Sequence, residues 1–135
     1  MLHSQLAADC HVLCVWPCCH VLLHRNAIVP WFILVPETEA TDLLLLQREH
    51  REAILDEAAD VARFVQQHWQ LAKINFAQLG NVVPQMHLHV IGRRPDDDCW
   101  PRPVWGNLSG EKSYSDDDLE EIRHRLRSLH PVKTL

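Results

Sequence analysis

A long amphipathic pattern in the middle of the chain limits the possible folds more than any other feature of the sequence. Apolar residues recur there at spacings of three and four, and they are Ile54, Ala58, Val61, Val65 and Trp69. The positions between them carry mainly carboxylate, guanidinium or amide side chains. This periodicity predicts one helix over residues 47–69 whose apolar stripe packs on another layer, which we expect to be a sheet.

Short β-prone runs lie on both sides of this predicted helix. They are residues 11–16, 20–24 and 31–35 before it, and residues 73–79 and 85–91 after it. The run 31–35 is wholly apolar between Pro30 and Pro36, which is typical of a strand buried on both faces. Gly80 and Asn81 form a turn signal, so we expect the last two strands to pair antiparallel across a short turn.

A second helix is predicted near the end of the chain. Ser115 is a good N-cap, three aspartates follow it, and apolar residues continue at helical spacing to Leu129. The order of strands, long helix, strands and final helix predicts an α+β domain with a mostly antiparallel sheet. The chain has 135 residues, no repeats and no low-complexity linker, so we expect a single domain over residues 1–135.

Composition argues against several classes of partner. The net charge of −5 argues against non-specific binding of nucleic acid, which requires a basic face. No stretch approaches the roughly 20 apolar residues that span a bilayer, and the first residues lack a secretory pattern. We therefore expect a cytoplasmic protein with no membrane partner. The five cysteines, an odd number, predict ordinary thiols and not a disulfide framework.

Two of the ten histidines lie two residues apart in the last predicted strand. In a strand over residues 85–91, three apolar residues share one face, and Gln85, His87 and His89 share the other. The second face is expected to be a polar surface, with the two imidazoles about 6–7 Å apart. Three interpretations remain open on this pattern: a solvated strand face, two ligands of a metal site, or a catalytic pair.

The metal interpretation needs further ligands, because two histidines do not complete a zinc site. The candidates for a third ligand are His20, His24 or a cysteine. Residues 96–98 are three consecutive aspartates just after the histidine strand. We interpret them first as an acidic loop, and second as carboxylates that recruit Mg²⁺ around a polyphosphate.

The sequence around the two histidines resembles the signature of the histidine-triad family. Residues 75–91 read NFAQLGNVVPQMHLHVI, and the family motif is His-φ-His-φ-His-φ-φ, where φ is apolar. The apolar positions of the motif all fit, at Met86, Leu88, Val90 and Ile91. Residues 22–36 read LLHRNAIVPWFILVP and also resemble the family, in which a similar run leads into a strand ending in proline. The resemblance covers about residues 10–105, which it implies are the core, and leaves residues 106–135 as an extension with the final helix.

The resemblance implies a fold, a mechanism and a set of site residues. It assigns His87 as the nucleophile that attacks the α-phosphorus of a nucleotide derivative and forms a covalent nucleotidyl-histidine. It places His89 against the phosphate or the leaving group, Gly80 and Asn81 at the phosphate, and His24 near the ribose. It also implies a homodimer, a nucleotide as the small-molecule substrate, and no required cofactor, with Mg²⁺ possible for a polyphosphate substrate.

The chain departs from the family motif at its first position, where Gln85 replaces a histidine, as in a bacterial branch of the family. In the family this residue helps to orient the nucleophile, in part through its backbone carbonyl, which any residue supplies. The amide of Gln85 cannot titrate near neutral pH, so any proton role of a first histidine is lost. Two interpretations follow. One is a hydrolase or transferase acting on a dinucleoside polyphosphate or a nucleoside phosphoramidate, and the other is a protein that binds nucleotides without turnover.

The segment after the histidine strand has two further features with open roles. Residues 100–106 resemble a segment of the bacterial branch and predict a packed C-terminal wrap, or else a wall over the base or a dimer contact. We favour the wrap. Arg93 and Arg94 are equally consistent with phosphate contacts beyond the strand and with solvated charges.

Overall fold

The computed structural model describes residues 1–131, so residues 132–135 of the predicted extension lie outside the described residues. The elements follow in chain order as α1 (Ser4–Asp9), β1 (Cys10–Val15), β2 (Cys19–His24), β3 (Trp31–Pro36), α2 (Arg48–Trp69), β4 (Lys73–Gln78), β5 (Leu88–Arg93) and α3 (Asp116–Arg127). A short 3₁₀ turn over Leu43–Leu45 precedes α2. Within residues 1–131, neither α2 nor any other helix combines the length and the hydropathy of a membrane span.

The five strands form one sheet in the order β1-β2-β3-β5-β4. All four neighbouring pairs are antiparallel. In the pairing of β3 with β5, Ile33 lies opposite His89 and Leu34 lies opposite Leu88. The α+β class with an antiparallel sheet, predicted from the order of the elements, is confirmed.

The helix α2 covers one face of the sheet and fills the larger of two apolar cores. Its apolar stripe is buried, and Ile54 and Val61 have no exposed surface. The helix ends where Gln70 takes a left-handed backbone conformation with φ of 53°, which interrupts the helical hydrogen bonding. The single helix predicted over residues 47–69 is therefore confirmed, with its start one residue later at Arg48.

The helix α3 completes the same core beside β1. Ser115 caps it as predicted, because its hydroxyl oxygen accepts a hydrogen bond from the backbone N–H of Asp118 at 3.0 Å. Trp16 donates its ring N–H to the carbonyl of Leu126 at 3.2 Å and so joins β1 to this helix. The predicted continuation to Leu129 is wrong, since the chain closes there in a tight turn with a bond from its N–H to Leu126.

The opposite face of the sheet is also covered, so the prediction of a polar surface beside the histidines is wrong. Trp31 and Ile91 of the strands belong to a second apolar cluster that includes Leu6 of α1 and several side chains of residues 99–108. We call residues 99–108 the C-terminal wrap. The packing of the segment after β5, which was favoured as a wrap, is confirmed, but the pattern of one strand did not reveal that it lies over the histidine face, and α1 was not predicted.

The connection between β4 and β5 is longer than the predicted two-residue turn. The strand β5 begins at Leu88, so residues 85–87, which were predicted as strand, lie in the connection. Pro84 has no backbone N–H to donate to a neighbouring strand, which favours irregular structure before β5. The antiparallel pairing of the two strands is confirmed, and Ala77 lies opposite His89.

A buried carboxylate ties α2 to the turn between β1 and β2. Glu57 accepts hydrogen bonds from the backbone N–H groups of Cys18 and Cys19 at 2.8 and 3.0 Å. The side chain is almost wholly buried, so these bonds replace the water that a carboxylate otherwise requires. The contact fixes the turn on the helix.

A buried ion pair anchors the C-terminal wrap to the end of β5. Arg93 donates to both carboxylate oxygens of Asp97, at 2.7 and 3.1 Å, and to the amide oxygen of Asn75 at 3.0 Å. Only 1% of its side chain is exposed. This geometry excludes both open interpretations of Arg93, as a phosphate contact and as a solvated charge. Arg94 lies on the surface and donates to the carbonyl of Trp69.

Candidate active site

A cavity of about 490 Å³ opens on the sheet face that α1 and the C-terminal wrap cover. It brings together five of the predicted site residues, which are His24, Gly80, Asn81, His87 and His89. They come from three places in the fold: the end of β2, the connection between β4 and β5, and β5 itself. The cavity therefore forms only when the sheet is assembled.

The cavity also has residues that the sequence analysis did not assign to a site. Trp31 of β3 and Trp105 of the wrap line it, and so do Gln5, Leu6 and Asp9 of α1. Trp31 was predicted only as part of an apolar strand. Because β3 lies beside β5 in the sheet, Trp31 has a polar partner on β5. Trp105 packs with the second apolar cluster, as the wrap interpretation predicts, and it also lines the cavity.

His87 is held by the backbone two residues before it. Its Nδ1 lies 2.7 Å from the carbonyl oxygen of Gln85, and its side chain is 7% exposed. A carbonyl oxygen can only accept, so Nδ1 carries the proton and donates it. In the neutral form of this imidazole, Nε2 therefore has the lone pair that a nucleophile needs.

His89 is held in the opposite tautomer by Trp31. The indole Nε1–H lies 3.0 Å from Nδ1 of His89, and an indole N–H can only donate, so Nδ1 accepts. Burial, followed by the neighbouring His87 and His24, lowers the pKa of His89 to about 4. The ring is therefore neutral at pH 7, and its Nε2 carries the remaining proton.

The two rings form a matched pair beside the cavity. Their centroids are 5.0 Å apart and their planes are inclined at 70°. One ring presents an acceptor nitrogen and the other a donor nitrogen. This combination suits attack on an electrophilic centre whose oxygens gain negative charge.

His24 lies flat against Trp31 at the far side of the pair. Their ring centroids are 4.4 Å apart and the planes differ by 12°. Nδ1 of His24 accepts a hydrogen bond from the backbone N–H of Asn26 at 3.1 Å, which leaves Nε2 as the donor in the neutral form. Burial lowers the pKa of His24, and the charge of Asp9 opposes that shift. The stacked pair is an aromatic surface with one polar edge.

Trp105 adds a second aromatic wall. Its ring meets His89 edge to face at a centroid distance of 5.0 Å, and Trp31 in the same way at 5.9 Å. These contacts hold the wrap against the site. They also give the cavity apolar aromatic surface beside the two histidines.

The turn after β4 supplies backbone at the mouth of the cavity. Gly80 has φ of 76°, a conformation that side chains disfavour, and it lies next to the cavity-lining Asn81. A Cβ at Gly80 would meet only the carbonyl of Val83, at 3.7 Å. The backbone angle, not crowding, is therefore what requires glycine here.

Gln85 contributes its backbone and its side chain to different tasks. Its carbonyl accepts from His87, whereas its amide group contacts the N-terminal segment. The side-chain oxygen accepts from the N–H of His3 at 2.7 Å, and the side-chain nitrogen donates to the carbonyl of Met1 at 2.9 Å. The side chain of Gln85 does not line the cavity. The family motif has a histidine at this position.

Few ionised side chains line the cavity, and most of its polar groups are neutral dipoles. Among the described residues that line the cavity, Asp9 is the only carboxylate, and neither lysine nor arginine is among them. Within residues 1–131, no three His, Cys, Asp or Glu side chains are placed to hold a metal ion. Asp97 is engaged by Arg93, and Asp98 accepts from the N–H of Ser109 at 2.7 Å. The acidic loop is thus built into the fold.

Comparison with known proteins gives consistent results. The family model described as HIT domain matches residues 5–96. The crystal structure of a histidine triad protein from Bradyrhizobium japonicum is 32% identical and has a TM-score of 0.86, over 95% of this chain and 96% of that one. A histidine triad protein from Marinobacter aquaeolei VT8 is 35% identical, with a TM-score of 0.85, over 96% and 94% of the two chains.

A third structure, of a histidine triad protein from Sinorhizobium meliloti 1021, is 29% identical with a TM-score of 0.86. It covers 95% of this chain and 95% of its own. Among the curated proteins, none matches this chain in sequence. The similarity to the three solved structures includes both the sheet and the helices, since it extends over nearly the whole length.

Proposed function

The chain belongs to the HIT domain family, and from this premise we propose that it is a hydrolase or nucleotidyl transferase acting at the α-phosphate of a nucleotide conjugate. The substrate class is a dinucleoside polyphosphate or a nucleoside phosphoramidate. The observation that carries the proposal is the pairing of opposite tautomers at His87 and His89 beside one cavity.

In the proposed reaction, Nε2 of His87 attacks the α-phosphorus and forms a P–N bond. The bond from phosphorus to the leaving group breaks, and its electron pair departs with that group. The ring becomes cationic, and the carbonyl of Gln85, which already accepts from Nδ1, stabilises that charge. Water or another acceptor then attacks phosphorus, breaks the P–N bond and restores the imidazole.

In this proposal, His89 is the hydrogen-bond donor to the reacting phosphate. Its Nε2–H donates a hydrogen bond to a phosphate oxygen or to the leaving-group atom, and its low pKa keeps it in that form. The backbone at Gly80 and the side chain of Asn81 contact the phosphate from the mouth of the cavity. The sugar and base lie against the aromatic pair of His24 and Trp31.

Turnover of adenosine phosphoramidate and of diadenosine polyphosphates tests this proposal. The variant His87→Ala should lose all but a trace of AMP release, because it lacks the nucleophile. His124→Ala is the matched control, since this exposed histidine of α3 lies outside the cavity. Full activity of the His87 variant would exclude His87 as the nucleophile.

Binding of nucleotides without turnover is the second candidate function. The observation that favours it is Gln85, which supplies no titratable group at the first motif position. It predicts measurable affinity for AMP together with no release of AMP from either substrate class. The same turnover assay, combined with a binding measurement, separates the two functions.

No cofactor enters the proposed reaction. The donor set around His87 and His89 offers no third ligand among the described residues, so the metal interpretation has no ligand set to support it. Any Mg²⁺ would accompany a polyphosphate substrate through its phosphate oxygens. Activity on a phosphoramidate should therefore persist in excess EDTA.

We also propose that the protein is a homodimer that pairs through β4. This strand lies at the edge of the sheet, and Phe76 within it and Leu79 just after it are about half exposed. Leu44, Leu45 and Val82 expose most of their surface nearby. An edge strand with an apolar surface favours association. Light scattering after gel filtration should give twice the chain mass of 15.7 kDa.

A cytoplasmic location remains part of the proposal. Within residues 1–131 the structure contains no disulfide, and Cys10, Cys14, Cys19 and Cys99 are buried free thiols. Unpaired buried thiols are typical of proteins from reducing compartments. A nucleotide as substrate agrees with the same compartment.

A further inference from the structure

The helix α1 forms one wall of the cavity and depends on other parts of the protein for its position. It has six residues, which is too short to be stable in isolation. Leu6 is its buried anchor in the second apolar cluster, and Leu2 packs partly against the same cluster. We call residues 1–9 the N-terminal wall.

The side chain of Gln85 supplies polar contacts that fix this wall to the catalytic connection. Both ends of its amide group are bonded, to the backbone of Met1 and of His3. His3 in turn caps α1, because its ring Nδ1 accepts from the N–H of Gln5 at 3.1 Å. Gln85 therefore holds the residue at which the helix begins.

Asp9, at the end of α1, brings a carboxylate to the cavity. The amide nitrogen of Gln5 donates to both of its oxygens at 3.0 Å, which orients the group. A carboxylate has about four acceptor positions, so two or more remain for a ligand. Asp9 also lies near enough to His24 to influence its titration, and both residues line the cavity.

We propose that the N-terminal wall binds the hydroxyl groups of the ligand through Asp9 and that Gln85 is the positioning residue that holds this wall in place. The inference rests on the proposed nucleotide site. A carboxylate repels phosphate and accepts from hydroxyl groups, so Asp9 belongs beside the sugar and away from His87. The first motif position thus shapes the binding site through its side chain, while its backbone carbonyl holds His87.

Hydrogen exchange tests the positioning role without any ligand. In Gln85→Ala, amides of residues 4–10 should exchange faster than in the wild type, because α1 loses two of the bonds that hold its start. Gln47→Ala is the matched control, since the exposed Gln47 side chain makes no capping bond and lies far from α1 in sequence. Equal exchange in all three proteins would overturn the role of Gln85.

Calorimetric binding of AMP and of 2′,3′-dideoxy-AMP tests the role of Asp9. The wild type should prefer AMP by on the order of tenfold, which is the effect of one or two hydrogen bonds to a charged acceptor. In Asp9→Ala this preference should fall to near unity. Comparing two ligands of equal charge removes the general effect of deleting a carboxylate.

A double variant connects the two roles. If Gln85 positions Asp9, the preference for AMP should be reduced in Gln85→Ala, and Asp9→Ala should reduce it little further in that background. An unchanged preference in either single variant would overturn the proposal. Binding of neither ligand by the wild type would reject the nucleotide site and the role of Asp9, while hydrogen exchange would still judge the positioning role of Gln85.

Discussion

At the residue scale, the hydrogen bond at Nδ1 determines what each imidazole of the site can do. A carbonyl holds the proton on Nδ1 of His87, and an indole N–H excludes a proton from Nδ1 of His89. The two rings therefore offer unlike nitrogens to the same cavity. Both determinants come from atoms that a sequence motif does not record, a backbone oxygen and a side chain of another strand.

Removal of the indole donor should impair catalysis more than folding. In Trp31→Phe, the ring stacking is largely kept, but no hydrogen bond fixes the tautomer of His89. We therefore expect kcat to fall roughly tenfold, which corresponds to a rise of about 1.4 kcal/mol in the activation free energy. The control is Trp16→Phe, which loses the bond to Leu126 in the core and should lower Tm instead of kcat. Equal kcat in Trp31→Phe and the wild type would contradict the tautomer argument.

The low pKa of His89 should appear as a pH dependence of stability. The folded state keeps this ring neutral down to about pH 4, whereas the unfolded chain takes up a proton near pH 6.5. Stability is therefore full above pH 6.5 and declines as the pH falls towards 4, by roughly 3 kcal/mol. Denaturant unfolding of the wild type and of His89→Gln, whose side chain does not titrate, should diverge over that window. Parallel curves would show that the ring is not held neutral.

At the element scale, a buried carboxylate and a buried ion pair join segments that apolar packing alone leaves loosely connected. Glu57 attaches the turn between β1 and β2 to the long helix. The pair of Arg93 and Asp97 attaches the wrap, and with it Trp105, to the end of β5. The first contact supports the core, and the second supports one wall of the site.

Loss of the Glu57 carboxylate should destabilise the fold by about 1–3 kcal/mol. In Glu57→Gln, only one oxygen remains, and the amide N–H₂ group points at a backbone N–H. The control is Glu52→Gln on the same helix, where an exposed pair with Arg48 is affected, and stability should change by less than about 0.5 kcal/mol. Urea unfolding followed by circular dichroism measures both. A similar effect of the two substitutions would show that the buried bonds contribute little.

The ion pair of Arg93 and Asp97, which anchors the wrap, should contribute stability at neutral pH that is lost in acid. Burial of Asp97 opposes its ionisation, but bonds from Arg93 and from three backbone N–H groups outweigh that effect and lower the pKa to about 2. The contribution, about 2 kcal/mol, is present above pH 4 and is lost as the pH falls towards 2. Asp97→Asn should therefore differ from the wild type at pH 7 and converge with it near pH 2, with the exposed Asp96→Asn as control.

At the scale of the whole molecule, the regular elements were predictable and the enclosure of the site was not. The helix over residues 47–69 and the five strands were predicted from local periodicity, because the apolar residues of each element lie within one continuous segment of the chain. The cover over the second sheet face is built from α1, near the start of the chain, and the wrap, which follows β5 about 90 residues later. No local pattern could place them together.

The same limit applies to the candidate site. His24, Gly80, Asn81, His87 and His89 were brought forward by the motif and by resemblance, and they share one cavity. Trp31 and Asp9 were missed as site residues because their role depends on strand order and on tertiary contacts, whereas Trp105 lay in a segment for which a wall over the base was the second interpretation. The side chain of Gln85 was expected on the same strand face as His87 and His89, and its bonds to the N-terminal segment depend on a contact more than 80 residues apart in sequence.

The central claim is that Nε2 of His87 forms a covalent bond to phosphorus. Mass spectrometry of the protein after rapid mixing with adenosine phosphoramidate and quenching tests it most directly. The account predicts an added adenylyl group that peptide mapping places on His87 and that is absent from His87→Ala. Turnover of the substrate with no adduct at His87, or with an adduct on another residue, would contradict it.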